Sequence, residues 1–256
     1  MYQFLSLILL LLVGGNSAFA QAAPAYPAQP DFRAVESDPR AITIADEVMA
    51  ASGGYDTWNN TRYLEWTFFG RRTLLWDKWT GWVRIDVPEQ ADVYIVNIND
   101  LEGKIWLGGE AQTQPDTLQK YLSQARSIWI NDSYWLVMPF KLKDSGVKLT
   151  DRGEEAAEDG QACDKLELTF QQVGDTPQNK YWVYVDRDTR RVIQWSYFPD
   201  ASDETPRFTT PWADYRQYDG LWLSGGRGRN SLTNIAVYKE VPAAIFQERD
   251  RPSFWP

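Results

Sequence analysis

Apolar and polar residues alternate along much of the chain with a period of two, which is typical of β-strands with one buried face. In the first such run, TRYLEWTFF, Leu64, Trp66 and Phe68 share one face and polar residues occupy most of the other. The next run, RTLLWDKWTGWVRIDV, predicts a hairpin that turns at residues 77–81. ADVYIVNIND and GKIWL predict two further strands. Strands at such short spacing indicate an antiparallel sheet.

The second half of the chain repeats this pattern. KLELTF alternates cleanly, and YWVYVDRDTRRVIQW predicts a hairpin because two aromatic and β-branched runs flank turn-forming residues 186–190. WADYRQYDGLWLSGGRGR predicts two strands around Asp219-Gly220, and a last strand covers residues 235–238.

Two segments have helical spacing instead. Ser37-Asp38-Pro39-Arg40 is a helix start, apolar residues then recur at three- and four-residue intervals, and Gly53-Gly54 ends the helix. PDTLQKYLSQARSIW, residues 115–129, predicts a second amphipathic helix. These patterns predict one β-rich domain with two or three inserted helices.

The stretch WINDSYWLVMPFKL that follows has no polar residue from Tyr134 to Phe140. It could form core, touch a membrane or cover a pocket. Pro139 would end any helix there. Ten residues near the amino terminus, Phe4 to Val13, are also largely apolar, and Ala18-Phe19-Ala20 follows them.

That amino-terminal pattern predicts a secretory signal peptide over residues 1–20. A Pro- and Ala-rich extended leader is expected over residues 21–38, and a single domain over residues 39–256. The mature chain has no other apolar run that could span a bilayer, so no transmembrane segment is expected in it. The expected location is periplasmic or secreted.

Composition excludes several function classes. The chain contains no histidine, which rules out Ser-His and Cys-His nucleophile pairs and histidine-ligated zinc. Its net charge of −9 argues against nucleic acid as a partner. Cys163 is the single cysteine, so no internal disulfide is possible. No cofactor and no metal are expected.

The remaining polar motifs favour structural interpretations. Asp186 and Asp188 fit a hairpin turn better than a cation site, and the acidic cluster around Glu154 and Glu155 is expected to be a solvated loop. Residues 225–229, GGRGR, are expected to form a flexible hairpin tip. An enzyme would have to use carboxylates such as Glu65 or Asp86, and we do not expect one.

Aromatic content remains to be explained. The chain has 13 tryptophans, many on predicted strands, and some strands carry large aromatic residues on both faces. Such a sheet must be covered on both sides or leave one side for a ligand or partner. A thick core capped by helices is the alternative interpretation.

Three segments, IADEVMAASGGYDTWNNTRYLEWTFFGRRTLLWDKWTGWVRID, NDSYWLVMPFKLKDSGVKL and YWVYVDRDTRRVIQW, resemble an uncharacterised family of exported bacterial proteins. That family is related in fold to the LolA/LolB-type lipoprotein carriers of the periplasm. The resemblance implies an α+β, mainly antiparallel fold, in which a curved half-barrel sheet has two or three helices on its concave side. In the carriers this concave side receives acyl chains.

The sequence therefore predicts an exported, non-enzymatic protein with a hydrophobic cavity for a lipid, an acyl chain or a lipoprotein. The residues expected to contact this ligand are Trp135, Met138, Phe140, Trp66, Phe68 and Trp106. Trp135, Met138 and Phe140 would close over the mouth of the half-barrel. The alternatives are a protein–protein interaction or scaffold protein of the cell envelope and a carbohydrate-binding module.

Overall fold

The computed structural model describes residues 23–253. The predicted signal peptide lies outside these residues, so it stays a prediction, as does the single-domain assignment.

Three α-helices occur in the described residues: α1, Pro39–Ala51; α2, Tyr55–Asn60; and α3, Pro115–Val137. Proline near the first turn starts both α1 and α3, because the missing N–H is not needed there. A short 3₁₀ helix, Met138–Phe140, continues α3. In residues 23–253, no helix combines the length and the apolar character needed to cross a membrane.

Helix α3 continues eight residues past its predicted end, and α2 was not predicted. The sequence N-D-S at residues 131–133 looks like a helix break. Asp132 is nevertheless fully buried, and Arg72 binds it through two hydrogen bonds. A partner distant in sequence therefore compensates the cost of burying this carboxylate.

The first sheet has nine antiparallel strands in the order β12-β13-β14-β1-β2-β3-β4-β5-β6. Their bounds are β1 Tyr63–Phe68, β2 Arg72–Asp77, β3 Trp82–Val87, β4 Asp92–Asn97, β5 Gly103–Leu107, β6 Glu110–Ala111, β12 Ala213–Tyr218, β13 Leu221–Arg227 and β14 Asn230–Tyr238. The pairing of β1 with β14, which aligns Tyr63 with Tyr238, joins the first and the last strand of the described residues in one sheet.

The second sheet has five antiparallel strands in the order β11-β10-β9-β8-β7. Their bounds are β7 Val147–Ala156, β8 Ala162–Phe170, β9 Lys180–Asp186, β10 Val192–Phe198 and β11 Phe208–Pro211. Both predicted hairpins, β2–β3 and β9–β10, are confirmed.

Two local predictions are wrong. Glu154 and Glu155 belong to strand β7 rather than to a loop, and they form ion pairs with Arg187 and Lys165. The GGRGR segment is not simply a flexible tip, because its first three residues belong to β13 and Arg227 is only 3% exposed.

Helices cover the inner face of each sheet. Leu122, Ala125 and Leu136 of α3 pack with the inner residues of the first sheet. Residues of α1, among them Ile44 and Val48, pack with those of the second sheet. The architecture is an α+β open half-barrel, and the predicted fold class is confirmed.

The leader lies along the edge of β7. The backbone N–H of Arg33 donates to Val147 O, and the hydroxyl of Ser37 accepts from the backbone N–H of Leu149. These contacts cover an edge strand whose backbone groups would otherwise remain unpaired.

Candidate functional site

Six partly exposed aromatic side chains form a continuous surface where α3 meets both sheets. We call this surface the aromatic rim; its members are Phe69, Trp135, Phe170, Tyr181, Tyr197 and Phe208. Phe69 follows β1, Trp135 belongs to α3, and the other four lie on β8, β9, β10 and β11. Phe208 is the most exposed, at 38%.

Ring contacts run through the whole aromatic rim. The centroid of Trp135 lies 5.2 Å from that of Phe69 and 6.0 Å from that of Phe208, which stacks on it at 14°. Phe208 contacts Tyr197 at 5.1 Å, and Tyr197 contacts Tyr181 at 5.4 Å. The chain of contacts ends at Phe170, whose ring centroid is 5.7 Å from that of Tyr181. Such a connected, partly exposed aromatic surface is typical of a binding site.

Trp195 lies directly beneath the aromatic rim. Its ring is 1% exposed, and its centroid lies 4.8 Å from that of Trp135 and 4.9 Å from that of Tyr181. Trp212 contacts it from the other side at 5.5 Å. The rim is therefore the outer layer of a thick aromatic core, as the helix-capped interpretation of the sequence proposed.

Several donors in this interior have no hydrogen-bond partner in the protein. They include the indole N–H groups of Trp66, Trp76, Trp129, Trp195 and Trp212 and the hydroxyl of Tyr134. Buried polar groups without partners are uncommon, and each costs about 1–3 kcal/mol. Water or the oxygen atoms of a ligand are what could satisfy them.

The structure brings three of the six predicted ligand-contact residues together. Trp135 is a member of the aromatic rim, and Phe68 lies below it, 4.0 Å from Phe69 and 6.3 Å from Trp135 between ring centroids. Trp66 is fully buried in the same core.

The other three lie elsewhere. Met138 is fully buried against α1 and the second sheet. Trp106 does not join the inner core, because its neighbours Ile105 and Leu107 contact that core and strand alternation turns Trp106 to the opposite face. Phe140 is buried at a different part of the core, where it stacks on Trp58 at 4.5 Å.

Lys78 covers this Phe140–Trp58 pair. Its ammonium lies 3.6 Å from the centroid of the Trp58 ring and donates to Trp58 O at 2.6 Å. Burial, together with the nearby charge of Lys141, lowers the pKa of Lys78 to about 7.

The free energy of unfolding is expected to rise with pH between 7 and 9 because of Lys78. In this range the unfolded chain keeps the proton, since a free lysine has a pKa near 10.4, whereas folded Lys78 loses it. Lys78→Met should flatten this rise, and urea unfolding at several pH values would measure it. Lys239→Met, at a side chain that is 84% exposed, is the control. Equal slopes in wild type and Lys78→Met would contradict the assignment.

On the concave side, where the sequence led us to expect a hollow, buried side chains of the helices and of both sheets pack against one another. Two clefts in the described residues lie elsewhere. One, of about 740 Å³, is on the outer face of the first sheet beside the carboxy-terminal segment, residues 243–251. The other, of about 330 Å³, lies beside the exposed Trp79. Neither is lined by residues of the aromatic rim.

The larger cleft contains Glu65 and Asp86, the two carboxylates that the sequence offered for enzyme chemistry. Arg251 bridges them, and Asp86 also binds Arg84 through two nitrogens. Arg84, 1% exposed, further donates to three backbone carbonyls of the carboxy-terminal segment, including Ile245 O at 3.1 Å. This network fixes the carboxy-terminal segment to the sheet. Glu65 and Asp86 are both paired with arginines in it.

Polar contacts hold the carboxy-terminal half of α3, which carries Trp135. Asp132 accepts hydrogen bonds from Arg72 at 2.5 and 2.7 Å. Burial nevertheless raises the pKa of Asp132, although Arg72 acts in the opposite direction. Arg227 of β13 adds a hydrogen bond to Trp135 O at 2.5 Å.

Sequence reasoning missed five members of the aromatic rim and Arg227. Tyr181 and Phe170 were placed on strands, but strand alternation alone does not show which face remains partly open. Phe208 follows a Pro- and Asp-rich stretch with no strand pattern. The signal for Arg227 was present, since it is an arginine within an apolar strand, but glycine on both sides favoured a loop interpretation.

No protein-family model matches the chain, and no curated protein matches it. Among solved structures, the chain is similar to a DUF1329 family protein from Desulfovibrio piger, with 16% identity, 82% of this chain and 98% of that chain covered, and a TM-score of 0.46. It is also similar to a putative outer membrane lipoprotein-sorting protein domain from Vibrio parahaemolyticus. The identity is 12%, the match covers 81% of this chain and 96% of that chain, and the TM-score is 0.43.

A LolA superfamily protein from Nitrosomonas europaea is similar at 9% identity, with 80% of this chain and 97% of that chain covered and a TM-score of 0.38. Solved structures similar to this chain thus include a DUF1329 family protein and a LolA superfamily protein.

Proposed function

We propose that this chain is an exported, non-enzymatic binding protein that holds a lipid or an acyl chain at the aromatic rim, in the periplasm or outside the cell. The observation that carries the proposal is the unbroken run of ring contacts from Phe69 to Phe170, on side chains that solvent reaches in part. An alkyl chain that lies along these rings would be removed from water. Its burial would favour binding by about 0.8 kcal/mol per CH₂ group.

The filled interior adds a condition to this proposal. An acyl chain longer than the aromatic rim would have to enter between α3 and the sheets, which requires the last turns of α3 to move outward. The unpartnered indole N–H groups of Trp195 and Trp212, beneath the aromatic rim, support such an opening, because the closed packing leaves them unsatisfied. Ester or headgroup oxygens, or water that enters with the ligand, would satisfy them.

Titration with a fluorescent dodecanoic acid analogue tests the proposal. Wild type should bind it saturably, and the double variant Trp135→Ala, Phe208→Ala should bind about ten-fold more weakly or worse, since each ring contributes a large contact area. Both side chains are partly exposed, so the variant should remain folded.

Trp79→Ala is the matched control, because Trp79 is 59% exposed and lies away from the aromatic rim. It should bind the probe as wild type does. Absence of saturable binding by wild type, or equal binding by the rim variant, would overturn the proposal. The scaffold alternative would be favoured if wild type did not bind the probe but did bind a protein from envelope extract, and if the rim variant did not bind that protein.

A further inference from the structure

Arg227, on β13, carries a buried positive charge with no carboxylate beside it. Its side chain is 3% exposed, and within residues 23–253 it forms no ion pair. Its guanidinium donates to neutral oxygens: Ser224 Oγ at 2.7 Å, Ser224 O at 3.2 Å, Gly226 O at 2.6 Å and Trp135 O at 2.5 Å. Its Nε–H is buried and has no acceptor.

This arginine lies against the interior side of the aromatic rim. Its guanidinium carbon is 3.7 Å from the centroid of the Trp212 ring, and Trp212 contacts Trp195 directly beneath the rim. The hydrogen bond to Trp135 O joins the guanidinium to a residue of the rim itself. Arg227 therefore contacts the backbone of one rim residue directly and the ring of Trp212, which packs on Trp195 beneath the rim.

Burial of the charged guanidinium of Arg227 is energetically unfavourable. Burial lowers the pKa of its guanidinium to about 9, and the phenol of Tyr215 opposes this only in part. Most other buried cations in the described chain have a carboxylate partner, such as Asp46 for Lys143. A buried charge without a counter-ion is unfavourable, and an anion brought next to it would be bound strongly.

We propose that the ligand of the aromatic rim is an anionic amphiphile and that Arg227 recognises its charged headgroup. This inference rests on the proposed function and specifies the class of its ligand. A carboxylate and a phosphate share the required chemistry, since both present oxygens to a planar guanidinium. The ligand is thus a fatty acid or an anionic phospholipid, whose chain lies on the rings while its headgroup accepts from Arg227.

Competition against the fluorescent probe tests this at fixed chain length. Dodecanoate should displace the probe at about ten-fold lower concentration than dodecan-1-ol or methyl dodecanoate, because charge-assisted hydrogen bonds are roughly twice as strong as neutral ones. The preference should persist in high salt, since a buried pair is screened little. The same competition is measured with dihexanoylphosphatidylglycerol and dihexanoylphosphatidylcholine, both below their micelle concentrations. Stronger displacement by the anionic phosphatidylglycerol would show that a phospholipid headgroup binds as a free carboxylate does.

Arg227→Gln should abolish the preference, leaving acid, alcohol and ester within about three-fold of one another. Arg229→Gln is the matched control, because Arg229 is exposed two residues away and should keep the preference. The comparison in wild type decides the question even when Arg227→Gln does not fold. Equal displacement by acid, alcohol and ester would overturn the role of Arg227 and leave the proposed function standing. Failure of every amphiphile to displace the probe would overturn both.

Discussion

Arg72→Met is expected to lower the free energy of unfolding by about 3–5 kcal/mol, the usual range when one partner of a buried ion pair is removed. Asp132 is fully buried and would lose its counter-ion, whereas Arg72 is 23% exposed and reaches solvent. Asp132→Asn should therefore cost less than Arg72→Met. Chemical denaturation of each variant at pH 7 measures this asymmetry.

Two further measurements would show whether the stability loss in Arg72→Met comes from the broken ion pair or from lost packing. The double variant should be more stable than Arg72→Met alone, because the uncompensated carboxylate is gone. Arg72→Met should also recover stability as the pH falls. Burial raises the pKa of Asp132 in the folded state, so protonation removes the buried charge there before it does so in the unfolded chain. Equal losses for Arg72→Met and Asp132→Asn would contradict this account.

Trp195→Ala is expected to cost about 3–5 kcal/mol, as deletion of a large core aromatic side chain usually does. Its ring is 1% exposed and contacts Trp135, Tyr134, Tyr181 and Trp212, so its removal leaves a cavity bounded by rings that cannot collapse freely. Thermal or urea unfolding would measure the loss.

Trp195→Phe distinguishes packing from hydrogen bonding at the same position. Since the indole N–H of Trp195 has no acceptor in the described residues, the change removes no hydrogen bond, and it leaves a smaller cavity than alanine does. Trp195→Phe should therefore cost clearly less than Trp195→Ala, and equal losses for the two variants would contradict this account. Trp79→Ala, at an exposed ring, should change stability by no more than about 0.5 kcal/mol.

Most of the secondary structure could be predicted from the sequence, because it depends on local periodicity and turn residues. The β9–β10 hairpin and the start of α1 at Pro39 are set by residues adjacent in the chain. Pro139 marked where a helix in this stretch would end, but the continuation of α3 past residue 129 could not be predicted. It requires burial of Asp132, whose partner Arg72 is 60 residues away. Local sequence carries no information about such a partner.

Only part of the candidate site could be predicted from the sequence. The sequence identified Trp135, within an apolar run after a helix, and the aromatic richness of the strands. It also named Trp106, Met138 and Phe140, which the structure places away from the aromatic rim. The face of Trp106 depends on where strand β4 and the core lie, and Met138 and Phe140 are buried.

By itself, the sequence determined that this protein is mainly antiparallel β, acidic and without histidine, and that its aromatic residues exceed what one buried face needs. These are properties of composition and of periodicity along the chain. Only the tertiary structure decided that six rings from α3 and both sheets meet at one surface, and that Arg227 lies beneath them without a counter-ion. Both facts depend on contacts between residues far apart in the chain, which sheet pairing and helix packing create.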